Sequence, residues 1–107
     1  MSTDRLDQLR ALLAEEPGDV FLRYAIALEL RRHGEMEAAF RDLESLVREV
    51  PGHVPSYYQL ALMQIDLGRI DEASRTCEAG MLQSLVSGDR KAYAELQELG
   101  RAIHEDE

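Results

Sequence analysis

Displacing the chain by 34 residues against itself brings Pro17 onto Pro51, Gly18 onto Gly52, Val20 onto Val54, Tyr24 onto Tyr58, Ala27 onto Ala61 and Leu28 onto Leu62. The same displacement superposes Gly34 on Gly68, Ala39 on Ala73, Arg41 on Arg75 and Glu44 on Glu78. These ten matches fall within 34 positions, where unrelated segments would give about two. Many of the matched residues are Pro, Gly and Ala, the types that shape a backbone or admit a close contact. A unit this short cannot bury its own apolar face, so the repeats must stack on one another and on whatever flanks them.

Within each repeat the apolar spacing is helical, and the punctuation marks two helices joined by a short turn. Pro17-Gly18 and Pro51-Gly52 each end one helix and open a turn, because Pro cannot continue a helix and Gly accepts positive φ. Gly34 and Gly68 mark the turns inside the repeats. The pattern predicts helices over 3–16, 20–33, 36–50, 55–67, 71–86 and 89–104, and no strands. The expected organisation is one domain over 1–107: a half-repeat helix in 1–19, repeats over 20–53 and 54–87, and a capping helix with an acidic tail in 88–107.

The repeat resembles the tetratricopeptide family. In the second repeat Tyr57, Leu60, Ala61, Gln64, Gly68, Ala73 and Cys77 follow the family pattern. In the first repeat Arg23, Ile26, Ala27, Leu30, Gly34, Ala39, Leu43 and Pro51 take the corresponding places. The resemblance implies an all-α, superhelical solenoid of antiparallel helix pairs, about six helices in all. It also implies that Ala27 and Ala61 let the two helices of a repeat approach, while Ala39 and Ala73 admit the next helix. Three positions depart from the pattern. Arg23 replaces an aromatic, Leu46 stands where a small residue is usual, and Leu85 replaces the closing Pro, so the fifth helix is expected to run on toward Val86.

Two repeats leave apolar end faces, and about three are normally needed for stability. The flanks answer that need. Leu6, Leu9, Leu12 and Leu13 give the first helix an apolar stripe, and Ala92, Leu96, Leu99 and Ile103 give the last one a face to bury opposite Glu95, Glu98, Arg101 and Glu105.

Charge excludes some partners. Twelve Lys and Arg against 21 Asp and Glu leave a net charge of -9, a field that repels nucleic acid and anionic membrane alike. No basic-then-apolar leader and no membrane-length stretch is present in this sequence, so a cytoplasmic location is expected. Chemistry is equally constrained. His33, His53 and His104 lack a Ser or Cys at a nucleophile motif's spacing, nothing matches a zinc or calcium motif, and phosphate-binding Gly loops are missing. The lone Cys77 shares a stripe with Ala73 and Met81 and reads as a packed thiol. No enzymatic activity, cofactor or metal is expected. Glu37 with Arg41, Glu44 with Arg48, and Asp71 with Arg75 are spaced as surface ion pairs. Arg31, Arg32 and His33 end a helix, where they complement its dipole or meet an acidic partner.

One stripe calls for more. Tyr24, Leu28 and Arg31 on the first helix of one repeat match Tyr58, Leu62 and Ile65 in the next. The resemblance implies that this face lines a concave groove for a peptide or partner helix, making the chain a non-catalytic adaptor. The family's carboxylate-gripping Lys and Asn are replaced by Tyr24, Leu28, Tyr58 and Gln59, so chaperone-type peptide capture is not expected. Two alternatives stand beside the groove. The stripe is core packed under the last helix, or the chain is a self-associating module, a homodimer, with Met81, Leu82, Leu85 and Val86 as its seam.

Overall fold

The computed structural model describes residues 4–105 and contains six α-helices. They are α1 (Asp4–Glu15), α2 (Val20–Arg32), α3 (Met36–Glu49), α4 (Pro55–Asp66), α5 (Ile70–Ser87) and α6 (Arg90–Glu105). No strand occurs among the described residues. The chain divides between Val50 and Pro51 into two compact units, one of α1 to α3 and one of α4 to α6.

In the first unit α2 packs against both α1 and α3. The Asp19 carboxylate opens α2 by accepting from the Leu22 amide at 3.0 Å, satisfying an N–H that has no partner within the helix. Gly34 closes it at φ 80°, where an L side chain would be strained, and the Glu35 amide donates back to the Leu30 carbonyl. Leu6 and Leu9 of α1, Ile26, Ala27 and Leu30 of α2, and Ala39, Phe40, Leu43 and Leu46 of α3 are buried.

Glu29 is buried with them, its side chain only 7% exposed. Arg5 Nε of α1 approaches its carboxylate at 3.3 Å, Arg32 Nη1 at 3.6 Å and His33 Nε2 at 3.2 Å. Two of the three basic residues at the end of α2 are thus held by a carboxylate one turn back. Arg23, the residue that replaces the usual aromatic, reaches Glu49 of α3 at 3.4 Å. Nearby, burial raises the pKa of Asp42 from its ordinary value, against the opposing pull of Arg23, Arg10 and Arg41.

In the second unit α5 packs against both α4 and α6, and α4 touches α6. Pro55 supplies the first residue of α4, where its missing N–H costs nothing. The Tyr57 hydroxyl donates to the Pro51 carbonyl at 2.8 Å and ties α4 to the turn before it. Ala61, Ala73, Cys77 and Ile103 form a buried cluster, with Ile65, Ile70 and Leu99 packed against it. A Cβ placed on Gly80 of α5 would lie 2.7 Å from Tyr57 Cβ and 2.8 Å from Leu96 Cδ1. The absent side chain therefore sets how closely α4, α5 and α6 converge.

The helices fall close to their expected spans. The expected start of the first helix at Thr3 lies outside the described residues. α6 begins at Arg90, one residue later than expected, because Asp89 serves as its cap and accepts from the Ala92 amide at 3.0 Å. The ion pairs are a larger correction. Arg48 donates to Ser45 Oγ at 3.3 Å in place of Glu44, and besides the pairs of Glu29 the short-range pairs among the described residues include Arg69 with Glu72 and Arg101 with Glu98, three residues apart. Exposed side chains of this length choose among near-equivalent partners worth only tenths of a kcal/mol, roughly 0.2 to 0.5 each.

Candidate functional site

Helical geometry puts Tyr24, Leu28 and Arg31 at i, i+4 and i+7 along α2, and all three are half-buried. Their neighbours Ile26, Ala27 and Leu30 turn into the core. α4 repeats the arrangement, with Tyr58, Leu62 and Ile65 half-buried and Tyr57, Leu60 and Ala61 inside. Each stripe therefore stands at the margin of its helix's buried face. Ile65 packs against the cluster of Ala61, Ala73, Cys77 and Ile103. The end of the α4 stripe thus borders the buried core of the second unit.

The small residues behind the stripes are fully buried. Ala27, Ala39, Ala61 and Ala73 are each 0% exposed, and larger side chains there would force the helices apart.

One pairing escaped sequence reading. His53 Nδ1 and Ser56 Oγ share a hydrogen bond at 2.7 Å. The signal was the spacing of a helix cap, in which the residue before a helix meets the one three further on. Here the Ser56 amide also donates to the His53 carbonyl. Ser56 is wholly buried, and burial lowers the pKa of His53, so a neutral imidazole and an inaccessible hydroxyl together fasten the start of α4. Cys77 is also buried, and burial together with the charge of Glu78 pushes its thiol up to about 11. At neutral pH it stays protonated and a poor nucleophile.

Among the surface cavities, one of about 80 Å³ is lined by Leu13, Arg23, Ile26 and Asp42. Another, of about 280 Å³, lies where α5 turns into α6, against Ser84, Leu85, Gly88, Asp89, Arg90 and Tyr93. Among the described residues no three His, Cys, Asp or Glu side chains converge as a metal site would require. No helix among them is long and apolar enough to cross a membrane.

A tetratricopeptide repeat domain protein from Salinibacter ruber, solved in solution by NMR, is 33% identical to the chain, covers 85% of it with 92% of its own length matched, and superposes with a TM-score of 0.82. The chain belongs to the tetratricopeptide repeat family. A crystal structure of a tetratricopeptide repeat domain protein from the same organism is 32% identical, over 83% of this chain and 99% of that one, with a TM-score of 0.80. A protein from Bordetella parapertussis, solved in solution, shares the fold at 22% identity, over 94% of this chain and 88% of that one, with a TM-score of 0.81. No family model and no curated protein matches the sequence. The fold is thus the all-α tetratricopeptide solenoid, a type that suggests a protein-interaction module.

Proposed function

We propose that the protein is a non-catalytic adaptor that binds a peptide or partner helix through the first-helix faces of its repeats. Tyr24, Leu28 and Arg31 on α2 make the contact of the first unit and Tyr58 and Leu62 on α4 that of the second, with Ile65 at the border where the α4 stripe meets the buried cluster. The observation that carries this reading is the repeated Tyr–Leu stripe, half-buried at the same two positions in each repeat. Tyr suits recognition because a rigid ring brings a large apolar area with a polar tip. The net charge of -9 favours a partner with basic flanks and disfavours nucleic acid and anionic membranes. A reducing cytoplasm suits a buried free thiol, and we place the protein there.

Affinity capture from an extract of the source cells, run beside a Tyr24→Ala/Tyr58→Ala variant, tests the proposal. The expected result is a protein retained by the native chain and lost by the variant, followed by saturable binding between the two purified proteins. Equal retention by both chains contradicts the assigned face.

A further inference from the structure

The second repeat ends differently from the first. Leu85 stands where Pro51 closes the first repeat, and α5 runs for 18 residues against 14 in α3. Gly88 then stops it in the left-handed region at φ 75°. The extended end carries Leu82, Leu85 and Val86 at 60%, 64% and 78% exposure. Their spacing of i, i+3 and i+4 joins them into one ridge.

The cavity of about 280 Å³ lies beside this ridge, between Leu85 and Tyr93, near the lower end of the size range of ligand pockets. Gly88 lines it and is set there by its positive φ, which L side chains rarely adopt.

Charge singles out the same place. Arg90 and Lys91 are exposed and begin α6, whose first turn contains no acidic residue. Two cations at a helix N-terminus lie in the unfavourable end of its dipole. No carboxylate among the described residues pairs with either, and Asp89 is engaged by the Ala92 amide. Arg90 lines the cleft beside Asp89, and Lys91 follows it on α6, so in a chain of net charge -9 this edge carries two neighbouring cations against one capping carboxylate.

We propose that this α5–α6 edge is a second docking surface, which takes a segment of another protein presenting a bulky apolar side chain next to acidic residues. The apolar side chain fills the cleft against Leu85 and Tyr93, and the adjacent carboxylates meet Arg90, Lys91 and the free amides at the start of α6. A second copy of the chain is the poorer occupant. The ridge spans only on the order of a few hundred Å², whereas a stable dimer buries about 800 Å² per partner. Two chains of charge -9 also repel at low salt. The surface differs in place and in preferred charge from the α2 and α4 faces, so either can fail alone.

Selection from a random peptide display library on the native chain, with counter-selection on an Arg90→Glu/Lys91→Glu variant, tests the inference. The expected consensus is an aromatic or large aliphatic residue flanked by Asp or Glu. Synthetic peptides of that consensus should lose at least tenfold in affinity, by fluorescence anisotropy, on Arg90→Glu/Lys91→Glu and on Leu85→Ser/Val86→Ser, and should be unaffected by Tyr58→Ala. Circular dichroism melting of each variant confirms that folding is unchanged. Failure to enrich a consensus, a consensus without acidic residues, or binders sensitive to Tyr58→Ala would each overturn the inference. So would light scattering that shows a dimer dissolved by Leu85→Ser, which would assign the ridge to a second copy.

Discussion

Gly80 shows how one missing side chain governs packing. In an isolated helix Gly80→Ala would stabilise by about 1 kcal/mol. Here the new Cβ would lie 2.7 Å from Tyr57 Cβ, an atom fixed to the α4 backbone. Overpacking of that kind costs roughly 1 to 3 kcal/mol, so Gly80→Ala should lower the denaturation midpoint in urea, and an unchanged or higher midpoint would contradict the close approach. Cys77 gives a prediction in pH. Its thiol is raised from 9.0 to about 11, so above pH 9 the unfolded chain gives up a proton that the folded chain keeps. Stability contributed by the neutral thiol is therefore present below pH 9 and is lost as pH rises toward 11. Cys77→Ala should flatten that decline in a series of alkaline melts, and native Cys77 should resist alkylation at pH 8 until the chain unfolds. Glu29 is different, because two of its partners stand largely in water: Arg5 and Arg32 are 63% and 74% exposed. Arg5→Ala should accordingly cost less than about 1 kcal/mol.

Among the elements, α6 carries the clearest structural burden. Its Leu96 and Ile103 are buried, and Ile103 completes the cluster of Ala61, Ala73 and Cys77. Removing residues 89–107 should uncover that cluster and leave a protein that melts without cooperativity or aggregates, whereas a sharp, soluble melt would mean that α6 is dispensable. The six helices were legible in the sequence because their ends are written in local chemistry. Pro17 and Pro51 act on the backbone wherever the chain goes, as do Gly34 and Gly68 at positive φ, whereas Gly18 and Gly52 turn the chain without the positive φ expected of them. The extension of α5 past Leu85 was legible for the same reason, as the absence of a stop. What sequence could not supply depended on where helices meet. Gly80 reads as a weak helix residue until Tyr57 and Leu96 arrive beside it. Glu29 reads as an intrusion on an apolar stripe until Arg5 arrives from α1. The i, i+4, i+7 spacing placed Tyr24, Leu28, Tyr58 and Leu62 on the margins of their helices, but the packing of Ile65 against the buried cluster depends on how the helices of its unit meet.

For the whole molecule, recognition should be carried by few side chains and steered by charge. An apolar anchor is nearly insensitive to salt, whereas a field from net charge -9 is screened within about 8 Å at physiological ionic strength. Association with a basic-flanked partner should therefore slow as salt rises while dissociation changes little, as stopped-flow kinetics would report. The Tyr–Leu stripes should recognise a partner instead of holding the fold. Partner binding and thermal unfolding, measured together on a Tyr58→Ala/Leu62→Ala variant, separate the two roles. The expected result is binding weakened by about 2 kcal/mol or more, with a loss of stability smaller than the loss of affinity. Stability falling by several kcal/mol while the surviving folded protein binds its partner with undiminished affinity would contradict it and make the stripe part of the core.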